Sequence, residues 1–262
     1  MEKNKIYCGN NTELIKQLED KSVDLTVTSP PYSNIRKYEN CTWDFKTIAQ
    51  ELFRVTKDGG CVCWIVNDQY VKGSRDLESF KQAIYFKETC GFNVHDVMIY
   101  QKSGFNFPSN TRYHQVYEYI HILSKGKLKT FNPLMDRKNL YPGQKVHGKH
   151  RECENTFRDK DGSNSVVGEY GKRFNVWYVR VGSHVTNDEI AYKHPAIFPE
   201  VLCGDLISSF SNENDLVFDP FIGSGTTAKM AKLLKRDYLG FEVSEEYCKI
   251  AEIRLNQSFK EQ

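Results

Sequence analysis

The stretch DLVFDPFIGSGTT, residues 215–227, decides the predicted fold of this chain. Its first half is an apolar run of the strand type, and its second half is a turn in which two glycines flank a serine. Beyond the turn, apolar side chains recur at helical spacing at Ala228, Ala231 and Leu234. The stretch therefore predicts a strand that runs through a glycine turn into a helix, the first part of a nucleotide-binding βαβ unit.

A second strand-like segment, residues 238–242, follows the predicted helix and ends in Glu242, 23 positions beyond Asp219. In nucleotide-binding units an acid at this place holds ribose hydroxyls. The turn lacks the full glycine pattern of dinucleotide sites, and the Asp-Pro-Phe before it is foreign to them. Taken alone, the glycine turn is weak evidence for any particular cofactor.

Another motif, TSPPY at residues 28–32, completes the run SVDLTVT, in which apolar and polar residues alternate. A period of two predicts a strand, and ligands of open α/β sheets gather outside the carboxyl ends of such strands. Pro30 and Pro31 hold φ near about −65° and have no N–H group, so the loop offers backbone carbonyls in a stiff, extended frame. The motif therefore predicts a rigid loop of hydrogen-bond acceptors at a ligand site.

This loop has the groups that the exocyclic amine of a flipped-out nucleobase requires. The amine donates hydrogens that the Ser29 hydroxyl and the Pro30 carbonyl can accept, while Tyr32 offers a ring for stacking. A proline turn that ends a strand and has no further role accounts for the same residues when the motif is considered alone. The glycine motif near the other end of the chain favours the functional interpretation.

In combination, the two motifs resemble those of the S-adenosylmethionine-dependent amino-group DNA methyltransferases. The resemblance covers residues 5–123 and 193–256, and the catalytic motif precedes the cofactor motif, as in the β group of that family. It implies S-adenosylmethionine as the cofactor, double-stranded DNA as the partner and methyl transfer onto a flipped base. It also implies an α/β fold, a circularly permuted Rossmann-like methyltransferase sheet with an inserted target-recognition region.

The resemblance also assigns roles to individual residues. The catalytic set is Ser29, Pro30, Pro31 and Tyr32. The cofactor-binding set is Asn10, Thr28, Phe198, Pro199, Asp219, Pro220, Phe221, Gly223, Ser224, Gly225, Thr226, Thr227 and Glu242. Within it, Glu242 resembles the ribose-binding acid, and HPAIFP at residues 194–199 resembles the element beside the methionine moiety. Asn10 stands near the adenine at a position that is often Asp in the family, so an amide replaces the charge there.

The serine of the catalytic motif indicates which base is methylated. TSPPY is the form associated with N4-cytosine enzymes, whereas adenine enzymes of this group usually have Asp or Asn where Ser29 stands. We therefore expect methylation of the N4 amine of cytosine, with N6-adenine methylation as the alternative. An RNA or protein-glutamine methyltransferase is a further alternative, although such families with a Pro-Pro-Tyr loop usually place the cofactor motif first. A non-catalytic protein that binds S-adenosylmethionine or DNA also stays open.

The order of the motifs predicts the domain organisation. Residues 1–124 are expected to form the catalytic half of the methyltransferase domain and residues 191–262 the cofactor-binding half. Residues 125–190 between them are the expected target-recognition insertion.

The remaining apolar segments predict the rest of the sheet. Residues 5–10 are expected to supply the strand beside residues 238–242, which makes the sheet a permuted one. Residues 93–101 and 117–123 are expected to form an antiparallel pair at the other edge. A helix is expected over residues 76–89.

The net charge is only +2, but the charges are unevenly distributed. Residues 125–180 contain thirteen Lys or Arg against six Asp or Glu, a net charge of +7 in a segment without clear periodicity. Lysines neutralise phosphates, while Arg, Asn and Gln can read base edges. We therefore expect this segment to recognise the DNA target, and a solvated loop without a partner is the alternative.

Composition sets further bounds on the class of protein. A chain of 262 residues with 39% hydrophobic and 27% charged residues can form a substantial core. No apolar run approaches about 18 residues and the N-terminus lacks a signal-peptide core, so we expect a cytoplasmic protein without a membrane partner. Eight cysteines, with Cys61-x-Cys63 as the only close pair, suit a reducing compartment, and no metal site is expected. A homodimer and a companion restriction endonuclease, within a bacterial or phage restriction-modification system, are expected from the family alone.

Overall fold

The computed structural model describes residues 1–31, 43–104, 109–146, 149–151, 156–159, 165–182 and 185–257. It divides into two compact units, Met1–Asn132 with Asn175–Gln262, and Pro133–Phe174. The second unit lies within the predicted insertion, residues 125–190, and is narrower than it. The flanking residues of that segment belong to the first unit.

Strands and helices alternate along most of the chain. The described strands are β1 (Lys5–Cys8), β2 (Val23–Thr28), β3 (Thr56–Val66), β4 (Tyr70–Val71), β5 (Ser74–Arg75), β6 (Asn93–Lys102), β7 (Tyr117–Ser124), β8 (Arg137–Lys138), β9 (Lys149–Arg151), β10 (Phe157–Asp159), β11 (Tyr170–Gly171), β12 (Val176–Val179), β13 (Leu216–Asp219) and β14 (Asp237–Glu242). The described α-helices are α1 (Asn11–Leu14), α2 (Phe45–Val55), α3 (Glu78–Tyr85), α4 (Glu200–Phe210), α5 (Thr226–Leu233) and α6 (Glu245–Asn256). A π turn, Phe86–Cys90, extends α3, which confirms the helix expected over residues 76–89.

Eight of these strands form one mixed sheet in the order β1, β14, β13, β2, β3, β7, β6, β12. The first five strands in this order, β1, β14, β13, β2 and β3, pair in parallel with their neighbours. β7 is antiparallel to both β3 and β6. The N-terminal strand lies beside β14, with Tyr7 opposite Phe241, as predicted. Since β13 and β14 come last along the chain and stand between β1 and β2, this α/β sheet is the circularly permuted one that the motif order predicts.

The prediction for the far edge of the sheet is partly wrong. β6 and β7 form the expected antiparallel pair, with Ile99 opposite Tyr119. The edge itself is β12, which lies parallel to β6 with Trp177 opposite Tyr100. β12 comes from the segment 125–190, where four alternating residues are too few to stand out from irregular surroundings.

Much of the core lies between the sheet and α2. Alternate residues of a strand point to opposite faces, so Val62, Trp64 and Val66 of β3 share one face. They pack in one cluster with Ile48 and Leu52 of α2, and none of these five is more than 3% exposed. A fully buried aliphatic side chain of this kind contributes about 1.5–3 kcal/mol. The cluster therefore anchors α2 below the carboxyl ends of the central strands.

The helices near the predicted cofactor motif begin as their sequences indicate. Ser244 precedes α6 and its hydroxyl accepts a hydrogen bond from the Tyr247 N–H at 3.4 Å, while Glu245 and Glu246 lie in the first turn. Pro199 stands at the N-cap of α4, one residue before the first-turn position that proline favours. Among the helices that the structure describes, none is long and apolar enough to span a membrane.

The second unit consists of short antiparallel pairs, β8 with β11 and β9 with β10. Within this unit the Arg173 guanidinium pairs with the Asp136 carboxylate. The Arg137 guanidinium lies 4.4 Å from the centre of the Phe174 ring, and Tyr141 is 64% exposed. Basic groups and exposed rings thus share the surface of the second unit.

Candidate active site

Two loops lie at the carboxyl ends of neighbouring parallel strands. The proline loop (residues 29–31) follows β2, and the glycine loop (residues 220–225) follows β13. The two strands pair directly, with Thr26 opposite Phe218. The catalytic and cofactor motifs predicted from the sequence are therefore neighbours at the carboxyl ends of two central strands.

Asp219 joins the two motifs through its buried carboxylate. Its Oδ1 accepts hydrogen bonds from the Thr28 hydroxyl at 2.6 Å and from the Phe221 N–H at 2.9 Å. Its Oδ2 accepts one from the Thr227 hydroxyl at 2.7 Å. Thr28 ends β2 and begins TSPPY, 191 positions from Asp219, so one carboxylate holds both loops and the start of α5 together.

Burial also controls the protonation of this carboxyl. It raises the pKa of Asp219 to about 6, although the hydrogen bonds from Thr28, Thr227 and Phe221 act in the opposite direction. Burial likewise raises the pKa of Glu242. At neutral pH the Asp219 carboxylate is ionised and serves as an acceptor only.

Two glycines let the glycine loop pass close to its neighbours. Gly223 has a φ of +50°, and a Cβ there would lie 3.0 Å from His194 Nε2. Gly225 has a φ of +83°, and a Cβ there would lie 2.7 Å from the Ala251 Cβ. Side chains other than that of glycine rarely adopt such φ values, so both positions require glycine for conformation and for space.

Glu242 and Asn10 follow neighbouring strands, but their side chains have different partners. Glu242 accepts hydrogen bonds from the Gly223 N–H at 3.0 Å and from the Ser244 N–H at 2.8 Å, one on each oxygen. A carboxylate has about four acceptor positions, so others remain for a ligand. Asn10 Oδ1 accepts from the Thr12 N–H at 2.8 Å and so caps α1. The structure thus places Glu242 at the glycine loop and engages the Asn10 side chain in helix capping.

Of the predicted residues before α4, Pro199 is buried and Phe198 is half-buried. Their neighbour His194 makes the close contact with the glycine loop at Gly223. Its ring centre also lies 4.4 Å from that of Tyr247. His194 therefore packs against the loop more directly than the sequence indicates.

The proline loop borders a cavity of about 170 Å³. Pro30 is buried, while Ser29 and Pro31 are half-buried. Tyr32, the predicted stacking residue, lies outside the described residues. Pro30 and Pro31 line the cavity together with the rings of Trp43 and Phe45, whose centres are 6.1 Å apart. Proline and aromatic side chains thus line one part of the cavity, and polar side chains, including those of Asp76 and Glu78, line another.

Polar atoms of the same cavity have unmet hydrogen-bonding capacity. The residues Gln69 and Ser79 lie in its lining, and their Nε2 and Oγ atoms are buried without a hydrogen-bond partner in the described part of the chain. A buried polar group left without a partner costs about 1–3 kcal/mol. Trp43 links the cavity to the glycine loop, because its ring centre lies 4.9 Å from that of Phe221. The cavity therefore adjoins both loops and can hydrogen-bond a polar ligand.

Within the described ranges, no group of three or more His, Cys, Asp or Glu side chains is placed to hold a metal ion. The cysteines that the structure describes are free thiols. Burial raises the pKa of the Cys63 thiol, which keeps it protonated.

Sequence reasoning missed the residues that line the cavity with the proline loop. Trp43 and Phe45 come after the motif without any periodic pattern, and Ser79 lies inside α3. Gln69 carried a signal, since it follows the carboxyl end of β3, where ligand sites of α/β sheets gather. The others could be placed only once the fold was known.

Comparisons with known proteins agree with this architecture. The model of the N6/N4 methyltransferase family, described as DNA methylase, matches residues 23–253. The orphan methyltransferase M.BamHII of Bacillus amyloliquefaciens is 51% identical over 243 residues, which cover 92% of this chain and 91% of that protein. The type II methyltransferase M.BglII of Bacillus subtilis is 29% identical over an alignment of 281 positions, which covers 95% of this chain and 68% of that protein.

Solved structures show the same fold. The PvuII DNA methyltransferase, described as cytosine-N4-specific, matches with a TM-score of 0.70 and 20% identity, over 97% of this chain and 87% of its own. The complex of M1.HpyAVI with S-adenosylmethionine matches with a TM-score of 0.63 and 26% identity, over 97% of this chain and 99% of its own.

Proposed function

The chain belongs to the N6/N4 amino-group DNA methylase family, and we propose that it transfers a methyl group from S-adenosylmethionine to the N4 amine of cytosine in DNA. The observation that carries the proposal is the hydrogen bond of 2.6 Å between the Thr28 hydroxyl and the Asp219 carboxylate. It holds the loop of the predicted base site against the loop of the predicted cofactor site. Group transfer needs donor and acceptor side by side, since proximity makes a bimolecular step effectively unimolecular.

The residues at the carboxyl ends of β13 and β14 fit the proposed cofactor. Gly223 and Gly225 have no side chains, so a ligand can approach the backbone of the glycine loop. Glu242 keeps acceptor positions for ribose hydroxyls. The structure of M1.HpyAVI was solved with S-adenosylmethionine, which supports the same cofactor here. Asp219 contributes by holding the loop, because its carboxylate oxygens are engaged by groups of the chain.

S-adenosylmethionine supplies a methyl group that its sulfonium already activates, so the protein does not need a strong acid or base. The Ser29 hydroxyl and the Pro30 carbonyl accept the amine hydrogens and aim the nitrogen lone pair. Tyr32 stacks on the base, and the cavity beside the proline loop receives the flipped ring. The amine proton leaves to solvent.

The choice of cytosine rests mainly on Ser29. Adenine enzymes of this family usually have Asp or Asn at this position, and a neutral hydroxyl is a weaker acceptor. Cytosine also presents two acceptors beside its amine on the pairing edge, whereas adenine presents one, and the Gln69 amide nitrogen, a donor, has no partner among the described residues. N6-adenine methylation is the second candidate, because the family includes both activities.

We propose that the second unit, Pro133–Phe174, recognises the DNA target. Lys138 and Lys145 are exposed there, and the Tyr141 and Phe157 rings are 64% and 62% exposed. Basic groups contact phosphates, and exposed rings can stack on bases. This assignment limits the target-recognition region, which the sequence predicts over residues 125–190, to the compact unit Pro133–Phe174.

The relatives suggest a setting for the activity. M.BglII is a type II methyltransferase and M.BamHII an orphan methyltransferase. We therefore propose DNA modification in the cytoplasm, of the restriction-modification type. A companion endonuclease and a homodimer rest on family analogy alone.

Transfer of a labelled methyl group tests the proposed function. The purified chain is incubated with labelled S-adenosylmethionine and, in separate reactions, double-stranded DNA, tRNA and protein. We expect label in DNA only. Label in tRNA or protein would favour an RNA or protein-glutamine methyltransferase, and binding of S-adenosylmethionine without any transfer would favour a non-catalytic protein.

A further inference from the structure

Four charged side chains are buried together next to the glycine loop. This buried ion cluster consists of Arg254, Lys229, Asp188 and Glu200, whose side chains are 0%, 5%, 11% and 17% exposed. Arg254 donates to Asp188 Oδ2 at 2.9 Å and to Glu200 Oε1 at 2.8 Å. Lys229 donates to the same two oxygens, at 2.8 and 2.7 Å.

Arg254 also contacts the glycine loop directly. Its Nη1 donates to the Ser224 carbonyl at 2.6 Å and lies 3.1 Å from both the Ser224 and the Thr226 hydroxyl oxygens. The Ser224 carbonyl belongs to the peptide that joins Ser224 to Gly225, where φ is +83°. A hydrogen bond from a charged donor is short and strong, so Arg254 holds the carbonyl of this peptide, while the Gly225 N–H of the same peptide donates to the Ile222 carbonyl at 2.8 Å.

The position of Arg254 would suit an apolar residue. It lies on the buried side of α6 with Ile250 and Ala251, at a spacing of four and three residues. Burying charges contributes little net stability, because the desolvation cost offsets most of the attraction within the ion pairs. A guanidinium, however, has a planar fork of donors that reaches two carboxylates and a loop carbonyl at once. That combination indicates a role in the geometry of the loop.

We propose that Arg254 is a positioning residue for S-adenosylmethionine, held by Asp188 and Glu200 so that its guanidinium fixes the orientation of the Ser224–Gly225 peptide. The proposal rests on the proposed function, in which the glycine loop binds this cofactor. Arg254 is not expected to touch the reacting atoms, which are the methyl group of S-adenosylmethionine and the amine nitrogen of the base. It acts through the loop, and Lys229 supplies the second positive charge that balances the two carboxylates.

The main test is the dissociation constant of S-adenosylmethionine in Arg254→Lys. The ammonium keeps the charge but cannot reach both carboxylates and the Ser224 carbonyl together. We expect calorimetry below the melting temperature to give a dissociation constant about tenfold higher, the loss that one hydrogen bond to a charged group represents. KM for S-adenosylmethionine is expected to rise more than kcat falls, and the affinity for DNA to stay at the wild-type value.

Arg54 on α2 is the matched control. It also donates to two carboxylates and two backbone carbonyls, those of Asp20 and Glu51 and those of Ile15 and Leu18, none of them in the glycine loop. Arg54→Lys is expected to lower the melting temperature and to leave the affinity for S-adenosylmethionine unchanged. Equal weakening of cofactor binding in both variants would overturn the proposal.

Asp188→Asn keeps the proposal testable if Arg254→Lys does not fold. It removes one charge from the cluster and leaves the guanidinium present, so we expect a smaller rise in the same dissociation constant. Wild-type affinity in folded Arg254→Lys would contradict the role of Arg254, and so would wild-type affinity in Asp188→Asn if Arg254→Lys does not fold. Failure of the wild-type chain to bind S-adenosylmethionine would instead contradict the proposed function.

Discussion

Two parts of the site differ in how their polar groups are satisfied. We call the surroundings of Asp219 and Glu242 the cofactor side, and the cavity beside the proline loop the base side, after their proposed ligands. On the cofactor side, Asp219 accepts three hydrogen bonds and Glu242 accepts two, all from groups of the chain. On the base side, Gln69 Nε2 and Ser79 Oγ find no partner among the described residues. The cofactor side is thus preorganised by internal bonds, whereas these two buried polar atoms of the base side have no bond within the described part of the chain. Substitutions on the two sides should therefore have opposite effects on stability.

Asp219→Ala should have the largest effect. It leaves the Thr28 and Thr227 hydroxyls and the Phe221 N–H without their acceptor, which is expected to lower the free energy of unfolding by about 3 kcal/mol or more. Methyl transfer should be lost as well, because the proline and glycine loops are no longer joined. Urea denaturation and a labelled-methyl assay measure the two effects.

Asp237→Ala is the control for that change. Asp237 begins β14 and accepts hydrogen bonds from Lys3 and Asn4 at the surface. We expect a loss of about 1 kcal/mol or less and normal methyl transfer. A folded Asp219→Ala variant with wild-type transfer would show that the joint between the loops has no functional role.

The pKa of Asp219 makes the cofactor side sensitive to pH. Burial raises this pKa from the usual 3.8 to about 6. Between pH 3.8 and about pH 6, the Asp219 carboxyl is therefore protonated in the folded state and ionised in the unfolded state. The stabilising contribution is complete below about pH 4 and is lost as the pH rises through about 6, by about 3 kcal/mol at most. We expect the stability of the wild type relative to Asp219→Asn to fall over this range. Groups that do not interact with Asp219 cancel between the two proteins, and a constant or rising difference would contradict the assignment.

On the base side, Tyr32→Ala should lower methyl transfer strongly without lowering the affinity for S-adenosylmethionine. A stack between a base and an aromatic ring contributes about 1–3 kcal/mol, which corresponds to about ten- to a hundredfold in rate. The measurement is the rate of labelled-methyl transfer at saturating cofactor. Full activity would remove the stacking role from Tyr32.

Ser79→Ala should have the smallest and most diagnostic effect. Its hydroxyl is buried and has no partner among the described residues, so its removal is expected to leave stability unchanged or raise it by about 1 kcal/mol while methyl transfer falls. Ser211 is a matched control, since its buried hydroxyl donates to the Ile207 carbonyl at 2.6 Å. Ser211→Ala should lose stability and keep transfer. A destabilised but fully active Ser79→Ala variant would show that the two sides do not differ as described.

The sequence predicts the cofactor side better than the base side, for a physical reason. Glycines at positive φ and an acid at a strand end depend on local backbone geometry, so Gly223, Gly225 and Glu242 can be recognised from short motifs. The strand order also follows from the motif order, with β1 beside β14. Contacts that join distant segments leave no local pattern, as the bond between Thr28 and Asp219 illustrates.

Other features stayed hidden for the same reason. β12 is a four-residue strand in an irregular segment, so its place at the sheet edge could not be predicted. Trp43 and Ser79 meet in one cavity only because α2 and α3 pack beside the proline loop. Arg254 gave a usable hint, since a charged residue at a core-facing helix position requires a buried partner.

The identity of the methylated nucleoside tests directly whether the N4 amine of cytosine receives the methyl group. Unmethylated DNA is treated with the purified chain and S-adenosylmethionine, digested to nucleosides and analysed by mass spectrometry, with DNA treated by Asp219→Ala as the blank. We expect N4-methyldeoxycytidine. N6-methyldeoxyadenosine in its place would contradict the choice of base that Ser29 supports.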